Sequence, residues 1–382
     1  MLLICLICLF SCKRVDDGPL TEELFRFTLE KQFATAKSKM DTVKIEEIFT
    51  PIDHSNVIFE QKSQGNAAEL YWEVFKDKLD SRSESRQQLL ETVEPIMQFV
   101  DLSIKENLEI SPQKAESIKA DLQKAARLPE LEKIEQAAQL RYFRLTGEVV
   151  PISAKLTVNL IPMTLLRAYS VALMAKALER ENSRDISSAE RLLQTIVAMG
   201  GHFAADPKYE NYFNGQVLME FGCYLLKSFY NRNKQASKIE AVEKLAESIK
   251  NQAQKAGSLA FRDETGQPVN PIKALGYFDE GIDSLLRIAL DERLPLAIRS
   301  AAVEHLFYGY VFRYMVVQHS GRNPDTSKYA PPSEQRIAAL DKLKSIPDKT
   351  LSQMAVNAST VLTNMKQMQS SGERARYWMG LN

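Results

Sequence analysis

The chain has 382 residues, 45% hydrophobic and 26% charged, which suits one large folded domain or two ordinary ones. Lys plus Arg and Asp plus Glu number 49 each, so no net positive field attracts phosphate backbones and nucleic acid is not an expected partner. No G-x-x-x-x-G-K-[ST] loop or G-x-S-x-G elbow occurs, which speaks against nucleotide binding and the usual serine hydrolases.

Taken in chain order, the first feature is an unbroken apolar run from Leu2 to Phe10, closed by Ser11-Cys12. It is too short for a bilayer, which needs about 20 apolar residues. It matches the hydrophobic region of a signal peptide, about 7–15 residues long. Leu9-Phe10-Ser11-Cys12 resembles a bacterial lipobox. The resemblance implies cleavage between Ser11 and Cys12 and a diacylglycerol thioether on the Cys12 sulfur. No Lys or Arg precedes Leu2, a departure from the usual leader. On this reading residues 1–11 are a signal peptide and 12–20 a polar tether. The partner of the anchor is then a membrane, which two or more acyl chains hold stably. The expected place is the bacterial cell envelope. Lys13 is not the Asp that retains such proteins at the inner membrane, which points to the outer membrane, facing the periplasm.

Helical periodicity dominates the body, residues 21–382. It divides into N-terminal helices (21–147), a core of helix pairs (148–319), a loop (320–333) and C-terminal helices (334–382). The loop is marked by Gly321, Pro324, Pro331 and Pro332. Ser81 with Glu84, and Ser187 with Glu190, have capping-box spacing. Ser111-Pro112, Asp206-Pro207 and Asn270-Pro271 read as helix starts, and Gly147, Gly200 and Gly257 as helix ends. These signals predict pairs 112–127 with 129–146, 162–181 with 188–199, 207–233 with 236–256, and 271–291 with 295–318. Strict alternation from Ile152 to Leu160 predicts an extended piece, with Asn56 to Glu60 as its possible partner. The expected fold is all-α: stacked antiparallel helix pairs, an irregular solenoid, with at most a small β-ribbon.

Two stretches resemble helical repeats. Gly281 to Leu286, Asp291, and Pro295 to Glu304 with Leu306 are similar to one HEAT unit. There the resemblance implies that the Asp and Arg299 link adjacent units. Tyr169 to Pro207, through Ala175, Leu178 and Ala189, is loosely similar to a tetratricopeptide unit. Both families imply a binding scaffold rather than a chemistry.

Few constellations suggest chemistry. His202, Asp206 and Glu210 are spaced four apart, but Gly200-Gly201 and Pro207 read as a loop, and Asp206 as a cap rather than a metal ligand. Asp279, Glu280 and Asp283 suit a helix start better than acid–base work. Methionines along 348–369 suit core packing better than a partner groove. Cys223, among Phe221, Tyr224 and Leu225, reads as a small core residue; with Cys12 lipidated it has no disulfide partner. No metal or cofactor is expected. The most suggestive surface is aromatic: Tyr308, Tyr310, Phe312, Arg313 and Tyr314 crowd one helix beside His305 and Phe307. They are either the faces of a central helix or a groove in which the tyrosine hydroxyls and Arg313 meet a peptide or glycan; a protein partner is expected. The expected function is a lipid-anchored envelope scaffold or assembly factor. The alternative is an α/α-toroid enzyme acting on glycans, which the presence of only Trp72 and Trp378 disfavours.

Overall fold

The computed structural model describes residues 30–38, 45, 49–106, 108–152, 161–258, 261–262, 268–269, 271–319, 331–370, 373–374 and 377. The side chains of 256–258, 261–262, 268–269 and 310–319 are not part of that description. Ser11, Cys12, the tether, residues 153–160 and most of the 320–333 loop lie outside the described residues. The fold is all-α, with two small two-stranded sheets among the described residues. The chain packs as two units. One, termed central for its place in the sequence, comprises Pro51–Val150 and Asn159–Asn251; the other, flanking it in sequence, comprises Met1–Thr50, Pro151–Val158 and Gln252–Asn382.

The central unit begins with β1 (Lys62–Asn66) and α1 (Ala67–Phe75), whose first turn is capped by the Asn66 side chain. Then come α2 (Glu84–Lys105), α3 (Lys119–Ala126), α4 (Glu130–Ala138) and β2 (Leu140–Tyr142). β1 pairs with β2 in parallel, Lys62 opposite Leu140 and Asn66 opposite Tyr142. A parallel pair needs a long crossover, and α1 to α4 supply it. The expected extended piece at Asn56–Glu60 is therefore corrected: that stretch is turn and coil, and the strand starts at Lys62. The helix expected over 129–146 ends at Ala138 for the same reason.

Three helices complete the core: α5 (Met163–Asn182), α6 (Ile186–Ala204) and α7 (Tyr209–Arg232). α5 is buried from Leu165 to Leu178 with few breaks, so it is the helix surrounded on all sides. Its turn into α6 places Arg184 at φ 63°, and the Asp185 N–H bonds the Arg180 carbonyl. The turn after α7 repeats this with Lys234 at φ 56° and Gln235 bonding back to Tyr230. Both are left-handed helix ends built without glycine. The caps differ from the expected boxes. Asp185 caps α6 by accepting from the Ser188 N–H, and Ser83 caps α2 by accepting from the Arg86 N–H.

Gly200 is not a helix end. α6 continues to Ala204 because Gly200 and Gly215 let α6 and α7 touch backbone to backbone. A Cβ on Gly215 would lie 2.4 Å from the Gly200 carbonyl oxygen and 2.2 Å from the Ala204 nitrogen. α8 (Ala236–Ser258) follows, burying Val242, Leu245 and Ile249 along one face.

The flanking unit holds a helix over 30–38 and the hairpin β3 (Phe261–Arg262) and β4 (Pro268–Val269). Its helices are α9 (Pro271–Leu275), α10 (Ile282–Leu290), α11 (Leu296–His319), α12 (Glu334–Leu343) and α13 (Lys349–Gln367). The single helix expected over 271–291 is broken at Gly276 to Gly281. A Cβ on Gly276 would sit 2.4 Å from the His305 carbonyl oxygen, so α9 ends where α11 crosses it. Met354 and Met365 are buried in the core face of α13. Asp348 caps that helix through the Thr350 and Leu351 N–H groups.

Candidate functional site

The residues predicted to meet a partner fall on α11. Phe307 is fully buried and Tyr308 half-buried, their rings 5.1 Å apart at 66°. Burial, helped by the Glu304 charge, pushes the Tyr308 hydroxyl above its ordinary range. Tyr310, Phe312, Arg313 and Tyr314 follow on the same helix, their side chains outside the description. In the stretch similar to a HEAT unit, Arg299 does not reach another repeat. Its Nε donates to the Ala289 carbonyl at the end of α10, 3.0 Å away, and Asp291 is held by Arg293.

The three residues spaced four apart do not converge. Glu210 pairs with Lys208 at the surface. Asp206, fully buried, accepts from five donors: the Leu145 and Thr146 N–H groups, the Thr146 hydroxyl, the Lys208 N–H and the Asn211 amide. It ties the loop after β2 to the start of α7 rather than merely capping that helix. Among the described residues, no group of three or more His, Cys, Asp or Glu is placed to hold a metal ion.

His202 is inside α6, not in a loop, and it is the centre of the most organised polar cluster in the central unit. Its Nε2 lies 2.7 Å from the Leu140 carbonyl of β2. A carbonyl only accepts, so Nε2 carries the proton. Nδ1 is then the acceptor, and the Tyr71 hydroxyl donates to it from 3.3 Å. The Gln61 amide nitrogen sits 3.2 Å from Nε2 and donates to the Ala138 carbonyl. Phe143 stacks on the imidazole, centroids 5.6 Å apart and planes 5° apart, while Tyr71 meets it edge-on. Phe203 packs against both rings.

His54 joins the cluster from the segment before β1. Its ring occupies the space over Gly201: a Cβ there would lie 2.2 Å from the His54 Cε1 and Nε2. Burial pulls the His202 pKa down to about 4, and His54 adds a like charge in the same direction. Burial lowers the His54 pKa too, opposed by the Ile52 carbonyl and Asp53. Both rings are thus neutral at ordinary pH. Sequence reasoning missed Tyr71, Gln61 and His54 as partners of His202. Nothing in their spacing marks them, since β1 to α4 intervene.

A second cluster, in the flanking unit, centres on Arg336. Its guanidinium is 1% exposed and donates to Asp279 and to the Gly276 and Leu306 carbonyls. Asp279 is therefore an ion-pair partner, not an acid–base group. Cys223 is buried, with burial and the Glu220 charge pushing its thiol up to about 12, an unreactive setting. Beside Asp53 an open groove of about 360 Å³ runs along α8, lined by Asn56, Val57, Lys244, Leu245 and Ser248.

Comparison with protein-family models, with curated proteins and with solved structures finds no match to this chain.

Proposed function

We propose that this protein is a lipid-anchored cell-envelope protein whose helical body serves as a scaffold for protein partners. The observation that carries the scaffold half is how the strongest polar groups are used. His202, Asp206 and Arg336 each bond groups of their own unit, joining helices to loops and strands. Groups engaged in this way position a surface; they are not presented to a substrate. The anchor half rests on the lipobox-like Leu9-Phe10-Ser11-Cys12. Among the described residues no helix is long and apolar enough to cross a membrane, so membrane attachment rests on Cys12 in this reading. The partner surface is assigned to the aromatic turn of α11, from Tyr308 to Tyr314.

Fractionation of the natural protein and of Cys12→Ala tests the anchor. The parent is expected in the membrane fraction and the variant in the soluble one; identical fractionation of the two contradicts the reading. Site-specific cross-linking from Tyr310 and Tyr314 tests the surface. A discrete cross-linked protein species is expected there, and its absence in intact cells contradicts the scaffold assignment.

A further inference from the structure

We infer that β1, β2 and the loops beside them form an acid-released clasp on the end of α6, held shut by the neutral imidazole of His202. The argument starts from the sheet. Two short strands are marginal on their own, and all but the last residue of β1 is exposed. Asp206 ties the loop after β2 from Leu145 on, and Gln194 of α6 reaches the Val57 carbonyl, but β2 itself is fastened to the helices through one ring. His202 on α6 bonds the Leu140 carbonyl of β2 through Nε2 and receives the Tyr71 hydroxyl of α1 at Nδ1. Gln61, next to β1, donates to the Ala138 carbonyl of α4.

A second proton on this ring falls on Nδ1, so the Tyr71 hydroxyl has to turn from donor to acceptor, and the charge it brings stays in an apolar surround. One face of the imidazole meets Phe143, Tyr71 packs against it edge-on, and Phe203 lies behind both. The charged group that acts on it is His54, of the same sign, from the segment before β1. Asp206, four residues on and past the end of α6, has its oxygens engaged by the loop after β2 and by Lys208 and Asn211. Glu135 of α4 is paired with Lys176 of α5. Lys62 of β1 and Arg141 of β2 are exposed. Among the described residues no carboxylate is placed to pair with the imidazolium, and it is stabilised by leaving for water. When it leaves, Leu140 loses its donor and Tyr71 its acceptor. The strands and the 54–61 segment come away together, uncovering Tyr71, Phe143 and the Gly200–Phe203 turn. The device lies within the central unit and stands whether or not Cys12 carries lipid.

Hydrogen exchange of the full chain at pH 7 and pH 5, corrected for intrinsic rates, tests this. One proton taken up on opening, with the ring's pKa passing from about 4 to its ordinary 6.5, raises the open population roughly 20-fold over that interval. The rise is expected in peptides over 54–66 and 139–147, while α5 and α7 stay protected. His202→Gln is expected to flatten it. Equal protection at the two pH values overturns the inference, as does a rise that persists in His202→Gln. Should that variant not fold, carbon-13 labelling of the histidines in the natural protein decides. His202 protonation is expected to coincide with loss of the native β2 signals. Protonation with those signals intact overturns the clasp.

Discussion

The Tyr71 hydroxyl and the His202 Nδ1, 131 residues apart in sequence, lie 3.3 Å from each other inside the central unit. With Nε2 committed to Leu140, this contact fixes the tautomer of a fully buried ring. Tyr71→Phe removes the donor and leaves a buried acceptor unsatisfied. It is expected to cost about 1–3 kcal/mol in denaturant unfolding. It is also expected to raise the His202 pKa, since the lost bond favoured the neutral form. A variant with unchanged stability and an unchanged histidine titration contradicts the assigned contact.

The same ring sets a pH dependence for global stability. The folded pKa of His202, about 4, lies below the ordinary value of 6.5 that the unfolded chain regains. The unfolded state therefore binds the extra proton first. Stabilisation is complete above pH 6.5 and is lost as the pH falls toward 4. Summed over that window it amounts to roughly 3 kcal/mol. Unfolding free energies in urea between pH 7 and pH 4 read this directly. A profile that is flat there, or that rises as the pH falls, contradicts the burial of a neutral His202.

Helices α6 and α7 touch through Gly200 and Gly215, where an added Cβ meets backbone rather than a movable side chain. Gly215→Ala is expected to destabilise by about 3 kcal/mol or more, because neither helix can yield locally. Thermal unfolding checks it. A neutral outcome contradicts the close approach.

Much of the fold was legible in the sequence, because periodicity and caps are local. Helix starts after Pro162 and after Asn270, and the break between Asn182 and Ile186, follow from caps and prolines alone. The errors share one cause: local signals were read where a distant contact decides. Gly200 reads as a helix end until Gly215 is packed against it. Asp206 reads as a cap until Leu145 and Thr146 arrive from sixty residues upstream. Arg336 gave no signal, since nothing local reveals that its guanidinium is enclosed by Gly276, Asp279 and Leu306.

Arg336→Leu removes the donors to two backbone carbonyls and the partner of Asp279. It is expected to destabilise the flanking unit by about 2–4 kcal/mol, since buried acceptors are then left unmatched. Protease resistance of peptides from 271–367 follows that loss. Unaltered resistance contradicts the central place given to this residue.

The left-handed turn residues offer a change of opposite sign. Arg184 at φ 63° and Lys234 at φ 56° occupy a conformation that costs a side chain about 1–2 kcal/mol. Glycine relieves that strain but gains unfolded-state freedom. Arg184→Gly and Lys234→Gly are therefore each expected to stabilise by about 0.5–1 kcal/mol. Lower melting temperatures in both variants contradict the assigned backbone.

In the proposed function, place and role depend on the chemistry of a single sulfur, that of Cys12. Mass spectrometry of the N-terminal peptide of the protein purified from its natural source measures it directly. The account predicts a peptide that begins at Cys12 and carries a diacylglyceryl thioether with further acylation. An unmodified peptide that still contains Leu2 to Ser11 contradicts it.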